Sequence, residues 1–200
     1  MRRRWMMIAV LMMNLCLLCA CGGKAKDPLQ APMDFRAGLL ARGGCAFELA
    51  ARSEAGDRLW ELELACELDA QGNGSVTVLA PESIAGVSAV LEGGKGSLRY
   101  GELSLGLGTL PGTELSPAAA PGALVRAWAR DWIASAGPEE DGLLVCYGDG
   151  PVTVRTRFDA GGVPLRAELL VDGRARFSAE IRKFEWKAEQ DNETTEENLG

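Results

Sequence analysis

Apolar and polar side chains alternate with a period of two between residues 45 and 69. Cys45, Phe47 and Leu49 share one face of the first stretch, and in the second Leu62 and Leu64 alternate with glutamates. A period of two is typical of half-buried β-strands. The intervening AGDR predicts a hairpin turn, so the two stretches predict an antiparallel pair with one apolar face.

The same alternation continues along most of the chain. Further strands are predicted in NGSVTVLAP, in two or three short pieces between residues 86 and 110, and in LLVCYG, VTVRTRFD, VPLRAELLVD and RARFSAEIRKFEW. Glycine pairs separate the pieces. Within VTVRTRFD, Val152, Val154 and Phe158 fall on one face. The pattern predicts a largely antiparallel sheet.

Two segments follow the helical period instead. The first is LQAPMDFRAGLLAR, residues 29–42, which ends at a glycine pair. The second is SPAAAPGALVRAWARDWIASAGP, residues 116–138, in which Val125, Trp128 and Trp132 form an apolar stripe before a Gly-Pro stop. Both patterns predict amphipathic helices. Strands combined with two helices predict an α+β fold in one domain.

The N-terminus predicts export. Three arginines at positions 2 to 4 precede the apolar run WMMIAVLMMNLCLLCA, which is typical of a secretory signal and too short for a stable membrane span. Cys21 follows Ala20 and has Leu18 three positions before it, the pattern of a bacterial lipobox. We therefore expect cleavage after residue 20, lipidation of Cys21, and discarding of Cys19 with the signal.

The predicted domain boundaries follow from these segments. Residues 1–20 form the signal peptide, 21–28 a lipidated tether, 29–186 the folded domain, and 187–200 an acidic tail that is expected to be disordered. Cleavage removes three arginines and no acid, so the formal net charge moves from −7 to −10. An anionic domain argues against nucleic acid, and predicts that the lipid provides the membrane attachment.

Candidate chemistry is sparse. The chain has no histidine, which removes histidine-based nucleophilic pairs and histidine-ligated zinc. GGKGS, residues 93–97, lacks phosphate-loop spacing and predicts a hairpin turn. The acidic group at 139–141 lacks a spaced fourth ligand and predicts a solvated turn. We predict no enzyme activity, no metal and no cofactor.

The register of the first hairpin decides whether Cys45 and Cys66 form a disulfide. A turn at Ala55-Gly56 sets the two cysteines opposite each other, whereas a turn at Gly56-Asp57 pairs Phe47 with Cys66 and leaves both thiols free. Glycine at the first loop position suits a type II′ turn. The second register, with two free buried thiols, is therefore predicted.

The Asp172-Gly173 pair raises a similar question of register. A two-residue loop would set Val171 opposite Arg174, which conflicts with the apolar pattern. A three-residue loop pairs Leu169 with Ala175 and aligns the apolar faces. The three-residue loop is therefore predicted.

The order of elements resembles the LolA-like family of periplasmic lipoprotein carriers. The likeness covers residues 29–186 and is clearest in TVLAPESIAGVSAVLEGG, LRYGELSLGLGTL and RFDAGGVPLRAEL. It implies a curved, incompletely closed antiparallel half-barrel with helices on its concave face. Its carriers hold acyl chains on that face.

The resemblance implies two functions, both for a lipid-anchored protein on the extracytoplasmic face of a bacterial membrane. The first is holding a lipid or other apolar ligand in the concave groove. The second is an adaptor that docks a cell-envelope enzyme, as a lipidated spore-germination protein of this fold supports a cell-wall amidase. The predicted groove residues are Phe47, Leu49, Leu62, Leu64, Val125, Trp128, Trp132, Val152, Val154 and Phe158.

Overall fold

The structure, a computed structural model, describes residues 27–55, 58–109, 116–140 and 142–187. The predicted signal peptide, Cys21, most of the tether and the acidic tail beyond residue 187 lie outside these residues. Within the described ranges, no helix is both long and apolar enough to cross a bilayer.

The described residues form eleven strands and two α-helices. The helices are α1 (Gln30–Ala41) and α2 (Ala120–Arg130), and a short 3₁₀ turn spans Glu82–Ile84. The strands are β1 (Gly44–Ala55), β2 (Arg58–Asp69), β3 (Gly74–Ala80), β4 (Ser88–Glu92), β5 (Lys95–Tyr100), β6 (Leu103–Thr109), β7 (Ile133–Glu139), β8 (Gly142–Tyr147), β9 (Val152–Phe158), β10 (Pro164–Val171) and β11 (Arg174–Trp186).

All eleven strands belong to one antiparallel sheet that does not close. Its order is β6-β5-β4-β3-β2-β1-β11-β10-β9-β8-β7, so the first and last strands of the chain pair at the centre. The connection from β6 at one edge to β7 at the other carries α2. This is the predicted α+β half-barrel, and the fold class is confirmed.

The central hairpin has the predicted register. Phe47 lies opposite Cys66, and Ala55 lies opposite Arg58, which leaves residues 56 and 57 for the loop. Cys45 is therefore not opposite Cys66, and both thiols are free and buried.

The hairpin between β10 and β11 differs from the prediction. Its loop has two residues, Asp172 and Gly173, with φ of +50° and +76°, as a type I′ turn requires. The predicted three-residue loop is wrong. The apolar faces still align because the register shifts by one residue beyond the turn, which places Leu169 opposite Phe177.

The second helix is shorter than predicted. It ends at Arg130, since Asp131 is extended with ψ of 155° and β7 begins at Ile133. The predicted Gly-Pro stop lies inside β7, where proline is tolerated because β7 is an edge strand. Trp132 therefore lies beyond the helix and is 71% exposed, so the prediction that it continues the Val125 and Trp128 stripe is wrong.

The start of α2 approaches the turn between β2 and β3 closely. A Cβ atom on Gly122 would lie 2.6 Å from the carbonyl oxygen of Gly72, and one on Gly72 would lie 2.2 Å from that of Gly122. Gly72 also has a φ of +77°. Only glycine at both positions permits this contact between two backbones, which fixes where α2 begins over the sheet.

Candidate apolar groove

The inner face of the sheet is closed over one half by the two helices. Trp128 of α2 is fully buried, and its Nε1–H donates a hydrogen bond of 2.8 Å to Oγ1 of Thr156 on β9. Its ring centroid lies 5.8 Å from that of Phe35 on α1 and 5.9 Å from that of Phe47 on β1. This half of the sheet, the closed half, is ordinary protein core.

Arg36 of α1 attaches the two helices to each other. Its Nε donates to the carbonyl oxygen of Trp128 at 2.8 Å, and its Nη2 donates to that of Asp131 at 2.6 Å. The last carbonyls of a helix have no partner within the helix, and a cation there also complements the helix dipole. Arg36 therefore satisfies the C-terminus of α2 and holds Trp128 over the closed half.

The other half of the inner face is open. A cavity of about 420 Å³ lies between strands β2 to β5, the 3₁₀ turn and the segment that leads into α2. We call it the apolar groove. It is lined by Trp60, Leu62, Leu64, Val76, Val78, Ile84, Val87, Ala89, Leu98, Ser116, Pro117 and Ala118.

The wall of the apolar groove offers a ligand almost no polar partner. Among its lining residues Ser116 is the one with a hydroxyl, and its Oγ accepts a hydrogen bond of 3.3 Å from the backbone N–H of Ala119. A polar ligand would lose hydrogen bonds to water here without replacement. The groove therefore favours hydrocarbon.

The apolar surface continues beyond the groove to the edge of the sheet. Leu98 in the groove wall lies opposite Leu105 of β6, and Tyr100 lies opposite Leu103. Directly opposed residues of an antiparallel pair share a face, so these side chains extend the inner face outward. Tyr100, Leu103 and Leu105 are all exposed. We call these three residues the shelf.

The predicted groove residues separate between the two halves. Leu62 and Leu64 line the apolar groove. Val152 is half-buried and packs against the core, and Trp132 is exposed. The remaining predicted residues are buried in the core, namely Phe47, Leu49, Val125, Trp128, Val154 and Phe158.

Sequence reasoning missed most of the groove wall. Val76, Val78 and Ala89 alternate along β3 and β4, so their period of two already indicated a shared face. Nothing in that pattern indicated which part of the face α2 leaves uncovered. The helical pattern of residues 116–138 includes Pro117 and Ala118, whereas both precede α2 and form part of the wall.

Three buried titratable groups have raised pKa values. Burial raises the pKa of the Cys45 thiol from 9.0 to about 12, and burial raises that of Cys66 further. Burial also raises the pKa of the Tyr147 hydroxyl, against a smaller lowering by Arg36. All three groups stay protonated at neutral pH. Within the described ranges, no cluster of three His, Cys, Asp or Glu residues is placed to hold a metal ion.

The outer face of the sheet carries charged side chains in cross-strand pairs. Arg155 and Glu168 approach to 3.2 Å, as do Arg182 and Glu63. The charged outer face and the apolar groove lie on opposite sides of one sheet. The molecule is thus an open antiparallel half-barrel with an apolar inner face and a charged outer face.

Comparison with solved structures finds matches at low sequence identity. One is a LolA superfamily protein from Nitrosomonas europaea, at 13% identity over 82% of this chain and 95% of that chain, with a TM-score of 0.47. Another is a putative outer membrane lipoprotein-sorting protein domain from Vibrio parahaemolyticus, at 12% identity over 82% and 94%, with a TM-score of 0.42.

A third likeness is to a chain in the structure of the CwlD amidase from Clostridioides difficile in complex with the GerS lipoprotein. The identity is 14% over 82% of this chain and 98% of that chain, with a TM-score of 0.40. No family model and no curated protein matches the chain. Among the matching solved structures is a protein of the family that the sequence resembles.

Proposed function

We propose that this chain is a lipid-anchored, extracytoplasmic binding protein that holds an apolar ligand, such as an acyl chain, in the apolar groove. The observation that carries the proposal is the groove itself, a solvent-open space of about 420 Å³ with an almost wholly apolar wall. Protein interiors are close-packed, and voids larger than a water molecule are few. Its volume lies in the range of small-molecule sites.

The exposed apolar residues of the shelf favour an elongated ligand over a compact one. A compact apolar molecule fits within the groove alone, whereas a chain that leaves the groove across β5 and β6 would cover Leu105, Leu103 and Tyr100. Covering exposed apolar surface stabilises the complex by roughly 25 cal/mol per Å². Any polar head group of the ligand then stays outside the groove, in water.

The location rests on the sequence. The lipobox at Cys21 and the signal that precedes it support attachment to the extracytoplasmic face of a bacterial membrane. We propose binding rather than catalysis because the chain has no histidine and its two buried thiols are held protonated.

Uptake of a fluorescent fatty acid by the protein tests the proposal. Ala118 lines the groove and is half-buried, so Ala118→Trp places an indole in the space that the ligand would occupy. We expect uptake of the probe to fall at least tenfold. Ala134→Trp, at an exposed position on β7, is the matched control and should bind as the wild type does. A wild-type protein that takes up no apolar probe would contradict the proposal.

A second candidate function is the adaptor, and the edge of the sheet favours it. Strand β6, the last at its end among the described strands, reads LSLGLGT and has neither a charge nor a proline. The opposite edge strand, β7, contains Pro138 and Glu139. Natural proteins guard strand edges with such residues, so β6 is the edge suited to a partner's strand.

Native mass spectrometry of the protein purified from its own host separates the two candidates. A bound lipid-sized mass that Ala118→Trp removes supports the binding function. A co-purifying protein that survives Ala118→Trp, and is lost when Ser104→Pro interrupts the β6 edge, supports the adaptor. Ser104 lies on β6 opposite Arg99, and the far-UV circular dichroism spectrum of the variant checks its folding.

A further inference from the structure

Helix α1 has a second apolar stripe on its solvent side. Phe35 and Leu39 face the core, as a surface helix requires. Leu29, Met33 and Leu40, at the start of α1 and along it, are 44%, 49% and 50% exposed. Positions separated by four, seven and eleven residues lie on one flank of a helix of 3.6 residues per turn.

The backbone at Trp132 lies beside the flank of α1 that carries this stripe. Arg36 lies between the buried face and the stripe on the helix surface, and its Nη2 donates to the carbonyl oxygen of Asp131 at 2.6 Å. Trp132 is the next residue along the chain, and its side chain is 71% exposed. Arg36 thus brings the chain segment that carries an exposed indole next to the stripe.

The stripe of Leu29, Met33 and Leu40 together with Trp132, which we call the patch, is separate from the apolar groove. The shelf residues lie on the inner face of strands β5 and β6, at one edge of the sheet, whereas Trp132 directly precedes β7 at the other edge. Between 44% and 71% of each of these side chains is exposed, so the packing of the closed half does not use their outer surface. Neither the binding proposal nor the packing of the core accounts for it.

We propose that Leu29, Met33, Leu40 and Trp132 form a membrane-contact surface that seats the domain on the bilayer carrying its anchor. The inference rests on the lipid anchoring at Cys21 that is part of the proposed function. Leu29 lies eight positions after Cys21. Fully extended, that stretch spans at most about 29 Å. Helix α1 is thus the first described element that the anchor holds near the lipid.

The chemistry of the patch fits a lipid surface. Leucine and methionine side chains enter the boundary between head groups and acyl chains, while an indole combines an apolar body with an N–H donor suited to the head-group level. The formal charge of −10 after signal cleavage disfavours attraction to anionic lipid. The surface therefore binds by apolar burial, and zwitterionic vesicles suffice.

Quenching of tryptophan fluorescence by brominated lipid tests the contact. The lipidated protein is reconstituted into phosphatidylcholine vesicles that contain brominated phosphatidylcholine. We expect Trp132→Phe to lower the quenched fraction at least twofold. Trp186→Phe, which changes a half-buried indole packed against Phe35, is the matched control and should leave the quenching in place. Equal quenching in wild type and Trp132→Phe overturns the proposal.

A second variant tests the stripe itself. The triple change Leu29→Gln, Met33→Gln and Leu40→Gln should lower the quenching of Trp132 at least twofold, because the helix no longer holds the indole against lipid. The pair Leu59→Gln and Leu79→Gln removes exposed leucines of β2 and β3 that line neither the patch nor the groove, and it should not. Far-UV circular dichroism is used to check that both variants fold. Unchanged quenching in a folded triple variant excludes the stripe from the contact.

The mass of the N-terminal peptide distinguishes the two proposals. A lipidated Cys21 with no lipid quenching of Trp132 overturns the contact surface and leaves the anchor intact. An unlipidated Cys21 overturns the anchor. The same unlipidated protein is then sedimented with phosphatidylcholine vesicles, and binding that Trp132→Phe weakens at least twofold supports the surface, whereas absence of binding overturns it.

Discussion

Trp128 and Thr156 are joined by a hydrogen bond between two fully buried side chains, from Nε1–H of the indole to Oγ1 of the threonine at 2.8 Å. The bond connects α2 to β9 through two residues that are 28 positions apart in the sequence. Because water does not reach either group, each depends on the other for its hydrogen bond. The pair sets the position of the helix over the closed half.

Thr156→Val should lower the free energy of unfolding by about 1 to 3 kcal/mol, because it leaves the Trp128 N–H buried without an acceptor. Trp128→Ala should lower it by about 3 to 5 kcal/mol through the cavity it creates. Urea denaturation followed by circular dichroism measures both. Thr153→Val on the same strand and Trp132→Ala at the exposed indole are the controls, each expected within about 0.5 kcal/mol of wild type. Equal losses at Trp128 and Trp132 would contradict the structure.

Arg36→Met should lower the free energy of unfolding by about 1.5 to 3 kcal/mol. The substitution keeps the apolar stem but leaves the carbonyl oxygens of Trp128 and Asp131 without their charged donor. Arg36→Lys should recover only part of the loss, since an ammonium does not reproduce the guanidinium fork. Arg126→Met, at an exposed position on α2, is the control. Thermal and urea unfolding of the four proteins gives the comparison.

The buried thiols should make the protein less stable at alkaline pH. Between pH 9 and 12 the Cys45 thiol ionises in the unfolded chain and stays protonated in the folded one. The unfolded state then binds fewer protons, so the free energy of unfolding falls as the pH rises, by up to about 1.4 kcal/mol per pH unit for each thiol. The double variant Cys45→Ala and Cys66→Ala should show a flatter dependence between pH 9 and 11. An unchanged slope would show that the thiols do not cause it.

Thiol labelling checks the same pair independently. The native protein at pH 8 should react at Cys146, which is half-buried, far faster than at the two buried thiols. After denaturation without reductant, all three thiols should react. A single reactive thiol in the denatured protein would mean that Cys45 and Cys66 are bridged, against the register in which Phe47 faces Cys66.

Cys21→Ala should abolish lipidation, whereas Cys19→Ala should not. Ala20 and Leu18 fit the positions that a lipobox requires before Cys21, and Cys19 is removed with the signal. Metabolic labelling with a fatty acid in the host, followed by membrane fractionation, reads out both variants. Loss of the label in Cys19→Ala would contradict the assignment of Cys21 as the lipidation site.

The strands were predictable because their information is local. A period of two along β1 and β2 names the buried face without reference to any other element, and the glycine at position 56 indicated the hairpin register that the structure confirms. The hairpin of β10 and β11 shows the limit of this reasoning. There the turn dipeptide and the apolar pattern conflicted, and a shift of register after the turn satisfied both.

By itself, the sequence determined the alternating faces and the two helices of the described residues, and the anchor at Cys21 stays a prediction. Tertiary structure alone decided the end of α2, the exposure of Trp132 and the half of the sheet that stays open. The reason is that a helical or two-residue period shows which residues share a face, but not what covers that face. The position of α2 depends on the backbone contact of Gly72 with Gly122 and on the bond of Trp128 to Thr156, each between residues distant in the chain.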